Sequence, residues 1–189
     1  MALPSDTSWS ASISDARSEL EAAQSRIAEE VIGFFDQLRA PLLRYVLTFG
    51  LAGHDAEDVV QETFLALFQH LRNGKPRDNL KAWVFRVSHN LALKQRLRIG
   101  RWDQSSCPEE VAEMVLHPQL NPEEQFADAQ HRQRMLRAIE DMPEMDRCCL
   151  FLRAEGLRYR DIAAIVGLSL GGVSLALGRA LTQLRKVGS

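Results

Sequence analysis

The 189-residue sequence predicts an all-α protein of two small helical domains joined by a flexible acidic linker, the second domain containing a helix-turn-helix. Three observations lead there. Apolar residues recur at helical spacing in nearly every periodic segment, and no alternating strand pattern with hairpin turns occurs. The stretch from Asp103 to Asn121 is acidic, holds Pro108 and Pro118, and lacks sustained periodicity, so it reads as a linker. Charge is segregated along the chain. The net charge of −2 conceals ten basic against five acidic side chains over residues 44–101, none against seven over 102–128, and ten against six over 129–189. Two basic blocks on either side of an acidic connector are expected of two tethered modules that bind a polyanion.

The elements follow in order. Residues 1–24 are rich in Ser, Ala, Asp and Glu and read as a loosely ordered extension with a helical end. From Val31, the positions Phe34, Phe35, Leu38, Leu42, Val46 and Leu47 keep a 3.6 period, with Pro41 marking a kink or a helix start. A turn at residues 50–54 leads to a second helix, with Asp55 as its expected N-cap and a buried stripe of Val59, Val60, Phe64, Leu67, Phe68 and Leu71. After the turn-rich Asn73-Gly-Lys-Pro76, Leu80, Trp83, Val84, Val87 and Leu91 start a third helix that runs into Lys94, Arg96, Arg98 and Arg101. Asn121, Pro122 and Glu124 form a helix-start signature. Helices are then expected at about 122–141, 143–154, 159–166 and 169–186, with Gly156 and Gly167 as stops.

Several classes are set aside by composition. Hydrophobic residues make up 46% and charged residues 25%, the proportions of a soluble globular protein. No apolar run approaches the roughly 20 residues needed to span a bilayer. Residues 1–10 lack a basic cluster followed by an apolar stretch, which predicts no secretory signal and a cytoplasmic location. Cys107, Cys148 and Cys149 are too few and too badly spaced for a disulfide framework or a four-ligand zinc site, and the last two fall in an apolar helical pattern that favours core packing. The sequence shows no metal spacing, nucleophile-base pair or phosphate-cradling glycine loop, so no cofactor, metal or enzymatic activity is expected.

The most specific local pattern lies between Tyr159 and Leu181. Ile162, Ala163 and Val166 make a first short helix, Gly167 and Leu168 a tight turn, and Ser169 the cap of a second helix with Val173, Leu177 and Leu181 facing inward. A small residue at the crossing and a glycine for the left-handed turn are what a helix-turn-helix requires. The expected recognition helix nevertheless has no charged side chain before Arg179, and base readout needs Arg, Lys, Asn or Gln. Ser174 is the main candidate there, while Arg158, Arg160 and Arg179 remain available to hold phosphates. In the first module Arg86, Asn90, Lys94 and Arg98 recur every four residues and lie on one helical face, a stripe able to follow a single strand. Asp58, Gln61 and Glu62 make an acidic-amide face away from Val60, Phe64 and Phe68, suited to a basic protein surface.

The segments Asp55-Ala-Glu-Asp-Val-Val-Gln-Glu-Thr-Phe-Leu-Ala-Leu-Phe68 and Leu80-Lys-Ala-Trp-Val-Phe-Arg-Val-Ser-His-Asn-Leu-Ala92 closely resemble the second conserved domain of bacterial RNA polymerase sigma factors. Asn121-Pro-Glu-Glu, Met142-Pro and Glu155-Gly-Leu-Arg-Tyr-Arg-Asp-Ile-Ala-Ala-Ile-Val-Gly-Leu-Ser169 resemble the fourth, in the family's order and spacing. The lack of a third conserved domain between them points to the extracytoplasmic-function class.

This resemblance implies an N-terminal extension over 1–27, sigma domain two over 28–101, a linker over 102–121 and sigma domain four over 122–189. It implies that Asp58, Gln61 and Glu62 dock on core RNA polymerase. Arg86, Asn90, Lys94 and Arg98 would engage the minus-ten element of promoter DNA, with Asn90 helping to form a pocket for an unstacked base. Arg158, Arg160, Ser174 and Arg179 would face the minus-thirty-five region or the DNA backbone. An anti-sigma protein is a further implied partner, and membrane insertion is not expected. Two departures stand out: Lys94 occupies a position often acidic in the family, and Ser174, Leu175, Ala176 and Gly178 stand where basic or polar residues usually read the minus-thirty-five element. The alternative is a sigma-fold interaction module or activator-dependent factor that lacks this readout.

Overall fold

The computed structural model describes residues 7–100 and 133–188, and every regular element among them is a helix. The expected linker, Arg101, Cys107 and the Asn121-Pro122-Glu124 helix start lie outside the described residues. Helix α1 runs from Thr7 to Leu47 without interruption. This corrects the expectation of a loosely ordered extension over 1–24, because from Thr7 onward the chain is helical. Ala16, Glu19, Leu20, Glu21, Ala22, Ala23 and Gln24 are good helix formers, and Arg17 pairs with Glu21 one turn away at 3.1 Å. Pro41 stays inside α1 and starts nothing.

Helix α2, Gly53–Arg72, and helix α3, Leu80–Ile99, complete the first module. Asp55 is not the N-cap of α2; that position falls to Ala52, whose side chain caps nothing, and Asp55 sits in the first turn. There it accepts a hydrogen bond of 2.9 Å from Gln95 Nε2, which ties the start of α2 to the far half of α3. Leu42, Val46, Leu67, Val84 and Phe85 are wholly buried at the centre of this three-helix arrangement. The Phe35 and Phe64 rings meet edge to face at 5.0 Å across α1 and α2. Tyr45 fills the end of the core, in edge contact with Phe49 and Phe85.

The second module comprises a helical stretch over 133–140, α4 (Glu144–Ala154), α5 (Tyr159–Val166) and α6 (Leu170–Gly188). Gly156 and Gly167 have φ values of 82° and 74°, the left-handed conformation that ends the preceding helices as expected. Ser169 Oγ accepts from the Gly172 N–H at 3.1 Å and caps α6. Cys148, Cys149 and Leu152 are fully buried. Along α6 the buried stripe is Val173, Ala176, Leu177 and Ala180, and Leu181 is 47% exposed, contrary to its expected inward position. The stripe steps by three from Leu177 to Ala180, which rotates Leu181 to the outer face.

The two modules do not have separate cores. Their buried residues form a single contiguous cluster, with α4 and α5 laid against α3 and the end of α1.

Candidate nucleic-acid and protein interfaces

On α2 the period of 3.6 turns Val59, Val60, Thr63, Phe64 and Leu67 into the core. Asp58, Gln61 and Glu62 consequently stand on the solvent side, all exposed. Leu65, one turn beyond, is 57% exposed and adds an apolar centre to this acidic-amide face. Beside it a groove between α1 and α2 is lined by Phe35, Arg39, Leu43, Glu57, Val60 and Gln61, with Arg39 and Glu57 paired across its mouth at 3.3 Å. Leu65 belongs to no core stripe in the sequence, and its exposure beside three polar residues is the signal that marks it.

On α3 the fate of each cation is decided by the direction it faces. Lys81 and Arg96 turn to the second module, where Lys81 Nζ donates to the Glu155 carbonyl at 2.6 Å and Arg96 pairs with Glu144 at 2.6 Å. Arg86, Asn90, Lys94 and Arg98 turn to solvent and have no side-chain partner among the described residues. Successive positions four apart drift by about 40°, so this row winds gently around the helix. Leu97, 64% exposed, lies on the same face, and sequence reading did not single it out. Trp83 is half-buried against the core, with its ring 4.4 Å from that of His70.

In the second module the chain turns by 98° between α5 and α6, the crossing of a helix-turn-helix. Arg158 and Arg160 flank the start of α5 and are exposed. Ser174 is exposed on the outer face of α6, in a surface otherwise made by Leu170, Gly171, Leu175 and Gly178. Leu170 is 57% and Leu175 67% exposed, so the helix presents an uncharged, largely apolar face. Arg179 differs from its basic neighbours. Its Nε and Nη2 bond both oxygens of Asp146 at 2.8 and 2.6 Å, and Asp146 is only 1% exposed. This fork fastens α6 to α4, although the arginine side chain is itself 61% exposed.

The described residues thus present an exposed row of three cations and an amide on α3, an exposed acidic-amide face on α2 and a helix-turn-helix. Residues 34–102 match the Sigma-70 region 2 family and residues 132–184 match Sigma-70 region 4. The chain is 34% identical over 144 residues to the ECF RNA polymerase sigma factor SigE of Mycolicibacterium smegmatis, covering 75% of this chain and 55% of that relative. It is 32% identical over 133 residues to the ECF RNA polymerase sigma-E factor of Salmonella typhimurium, covering 67% and 70% of the two chains. Its fold is similar to that of the sigma factor RpoE of Bartonella quintana, solved with the anti-sigma factor NepR, with a TM-score of 0.55 and 24% identity over 82% of this chain and 96% of that one.

The chain belongs to the extracytoplasmic-function sigma factors of RNA polymerase, and as such is a transcription-initiation factor and not an enzyme. Among the described residues no single helix is long and apolar enough to cross a membrane.

Proposed function

We propose that the chain binds core RNA polymerase through Asp58, Gln61 and Glu62, with Leu65 at the centre of the contact, and directs it to a minus-ten element gripped by Arg86, Asn90, Lys94 and Arg98. The observation that carries this reading is the division of labour on α3, where two cations are consumed by internal contacts and the evenly spaced row is left without partners. Such a row neutralises successive phosphates of one strand, and an amide beside it can satisfy the edge of a base that has left the stack. No bond is made or broken in the DNA. Strand separation is favoured because the single strand binds better than the duplex.

In the second module Arg158 and Arg160 hold DNA backbone. Ser174 is the sole polar reader on the outer face of α6, so discrimination at the minus-thirty-five element is weak. The apolar Leu170 and Leu175 also favour a second reading, in which α6 meets a protein that brings the complex to promoters. The protein acts in the cytoplasm, where polymerase is found. An anti-sigma protein holds it inactive, by analogy with the complex of the Bartonella relative.

The test is binding of the purified chain to bacterial core RNA polymerase, for wild type and for the Asp58→Ala/Glu62→Ala variant. Tight binding by wild type and at least a tenfold loss in the variant, at unchanged thermal stability, are expected. Equal binding by both would remove these residues from the interface. Absence of binding by wild type would pass the lead to the interaction-module reading.

A further inference from the structure

Where the start of α5 packs beside the start of α3, the surface sinks into a cavity of about 340 Å³, lined by Asn79 and Lys81 from one side and by Leu157, Arg158, Arg160 and Asp161 from the other. Its walls are fixed by bonds that neither the acidic-amide face nor the basic row of α3 uses. Asn79 takes φ 54°, the left-handed conformation, and among the described residues it is the one non-glycine to do so. It stands at the N-cap position of α3 yet caps nothing; its Nδ2 donates instead to Asp161 Oδ1 at 2.9 Å. Lys81 Nζ donates to the Glu155 carbonyl at 2.6 Å and meets Oε2 of the same residue at 3.6 Å, while Arg44 holds Oε1 at 3.7 Å. Leu157, 4% exposed, supplies an apolar wall.

Three cations line this cavity against one carboxylate, and that carboxylate, Asp161, is already engaged by Asn79. Arg158 and Arg160 are exposed and have no side-chain partner among the described residues. An ammonium has three donors, and the two contacts of Lys81 with Glu155 leave one for a ligand. The backbone adds the same sign. Helix α5 begins after Arg158, whose side chain caps nothing, so the first N–H groups of the helix lack a side-chain acceptor there. A guanidinium forks two oxygens of one phosphoryl group. Two unpaired guanidiniums and an ammonium that open onto one cavity therefore match an anion with two linked phosphoryl groups, whereas a single phosphate would leave one fork unused. The volume falls at the small end of the roughly 300–1,000 Å³ usual for small-molecule sites, which suits a diphosphate and shuts a duplex out of the interior.

We infer that this cavity binds a diphosphate group, either inorganic diphosphate or the diphosphate of a nucleotide, held by Arg158 and Arg160 with Lys81 completing the set. The walls come from α3 and α5 together, so the site depends on the shared core that packs them against each other. A consequence follows for DNA, and it rests on the promoter reading above, in which the same two arginines hold backbone. A guanidinium turned into the cavity is not available to a duplex phosphate outside it. Occupancy therefore weakens the hold of the helix-turn-helix on DNA. Arg86, Lys94 and Arg98 are not among the walls, so the row on α3 is untouched.

The test is calorimetric titration of the full chain with sodium diphosphate in the presence of a chelator, beside sodium sulfate at equal ionic strength. Expected are saturable binding of one diphosphate per chain, at least tenfold weaker binding of sulfate, and at least a tenfold loss of diphosphate affinity in Arg158→Gln/Arg160→Gln. Both side chains are exposed and unpaired, so that variant keeps the melting temperature of wild type without ligand. Lys81→Met loses affinity by a smaller factor. Arg134→Gln/Arg137→Gln removes the same charge from the second module away from the cavity and binds as wild type. Absence of saturation by wild type, or equal affinity in Arg158→Gln/Arg160→Gln, would overturn the site; an equal loss in Arg134→Gln/Arg137→Gln would reduce it to net charge. Titration with a nucleoside diphosphate assigns the source, tighter binding than that of inorganic diphosphate marking a nucleotide site and equal or weaker binding a site for the inorganic anion. Competition is read from the anisotropy of a labelled minus-thirty-five duplex on the free chain at low salt, where saturating diphosphate is expected to weaken binding at least fivefold beyond matched sulfate. A duplex held equally well would overturn the competition. A duplex that wild type does not bind at all, with diphosphate binding intact, would overturn the backbone role of the two arginines and leave the site standing.

Discussion

Tyr45 Oη lies 2.7 Å from His89 Nδ1, and both rings are buried where α1, α3 and α4 meet. The phenol is 1% and the imidazole 3% exposed, so each supplies the other with a partner that water cannot. Tyr45→Phe keeps the ring and its edge contacts with Phe49 and Phe85 but strands a buried imidazole nitrogen. A loss of about 1–2 kcal/mol is expected, read as a lower urea midpoint at unchanged slope.

The same imidazole makes stability depend on pH. Burial lowers the pKa of His89 from its ordinary 6.5, an effect that Arg96 reinforces and Glu144 only partly offsets. The unfolded chain takes up a proton near pH 6.5, whereas the folded chain resists it until lower pH. The contribution is therefore complete above about pH 7 and declines as pH falls through 6.5 toward the folded value, by at most about 1.4 kcal/mol per pH unit. Urea midpoints at pH 7.5 and 5.5 should differ for wild type and differ less for His89→Gln. Identical pH dependence in the two would exclude His89 as its source.

Arg179 and Arg158 are both exposed cations of the helix-turn-helix module, and their structural roles predict opposite signatures. Removing Arg179 leaves Asp146, 1% exposed, without the fork that neutralises it. Arg179→Ala should lower the melting temperature by several degrees. Arg158→Ala should leave it unchanged and weaken DNA binding instead. A thermal scan of the two variants beside a binding isotherm separates the roles, and an unaffected melting temperature for Arg179→Ala would show that the fork contributes nothing.

Lys94 and Arg98 continue the row begun by Arg86 and Asn90 without internal partners. If each holds one phosphate of an unpaired strand, its replacement by alanine reduces the slope of log affinity against log salt by about 0.7. The measurement is binding of the polymerase complex to a single-stranded minus-ten oligonucleotide over a range of salt concentrations. An unaltered slope would place the residue outside the contact.

Much of this was already written in local pattern. Helical periodicity located α2 and α3, and the glycines at 156 and 167 mark helix ends because only a residue without a Cβ takes φ near 80° at no cost. The four-residue spacing of Arg86, Asn90, Lys94 and Arg98 put them on one face before any fold was considered. Local pattern failed where composition misled. Ser and Asp among residues 7–24 suggested a loose extension, yet the alanines and glutamates between them carry the chain into α1. Asp55 looked like a cap, but the helix starts two residues earlier and the carboxylate serves Gln95 instead.

What the sequence determined by itself was α2 and α3, their exposed polar faces and the helix ends at Gly156 and Gly167, because these depend on neighbours within a turn or two. Tertiary structure alone decided which charges remain free. Arg86 and Arg96 are the same residue type on the same helix, but one faces solvent and the other meets Glu144, 48 residues away. Arg179 reads in the sequence as one more cation of α6, and only the fold shows Asp146 beneath it. An ion pair depends on distance in space, which falls off with no memory of position in the chain, so the docking of the modules and the burial of Cys148 against Tyr45 could be read only from the folded protein.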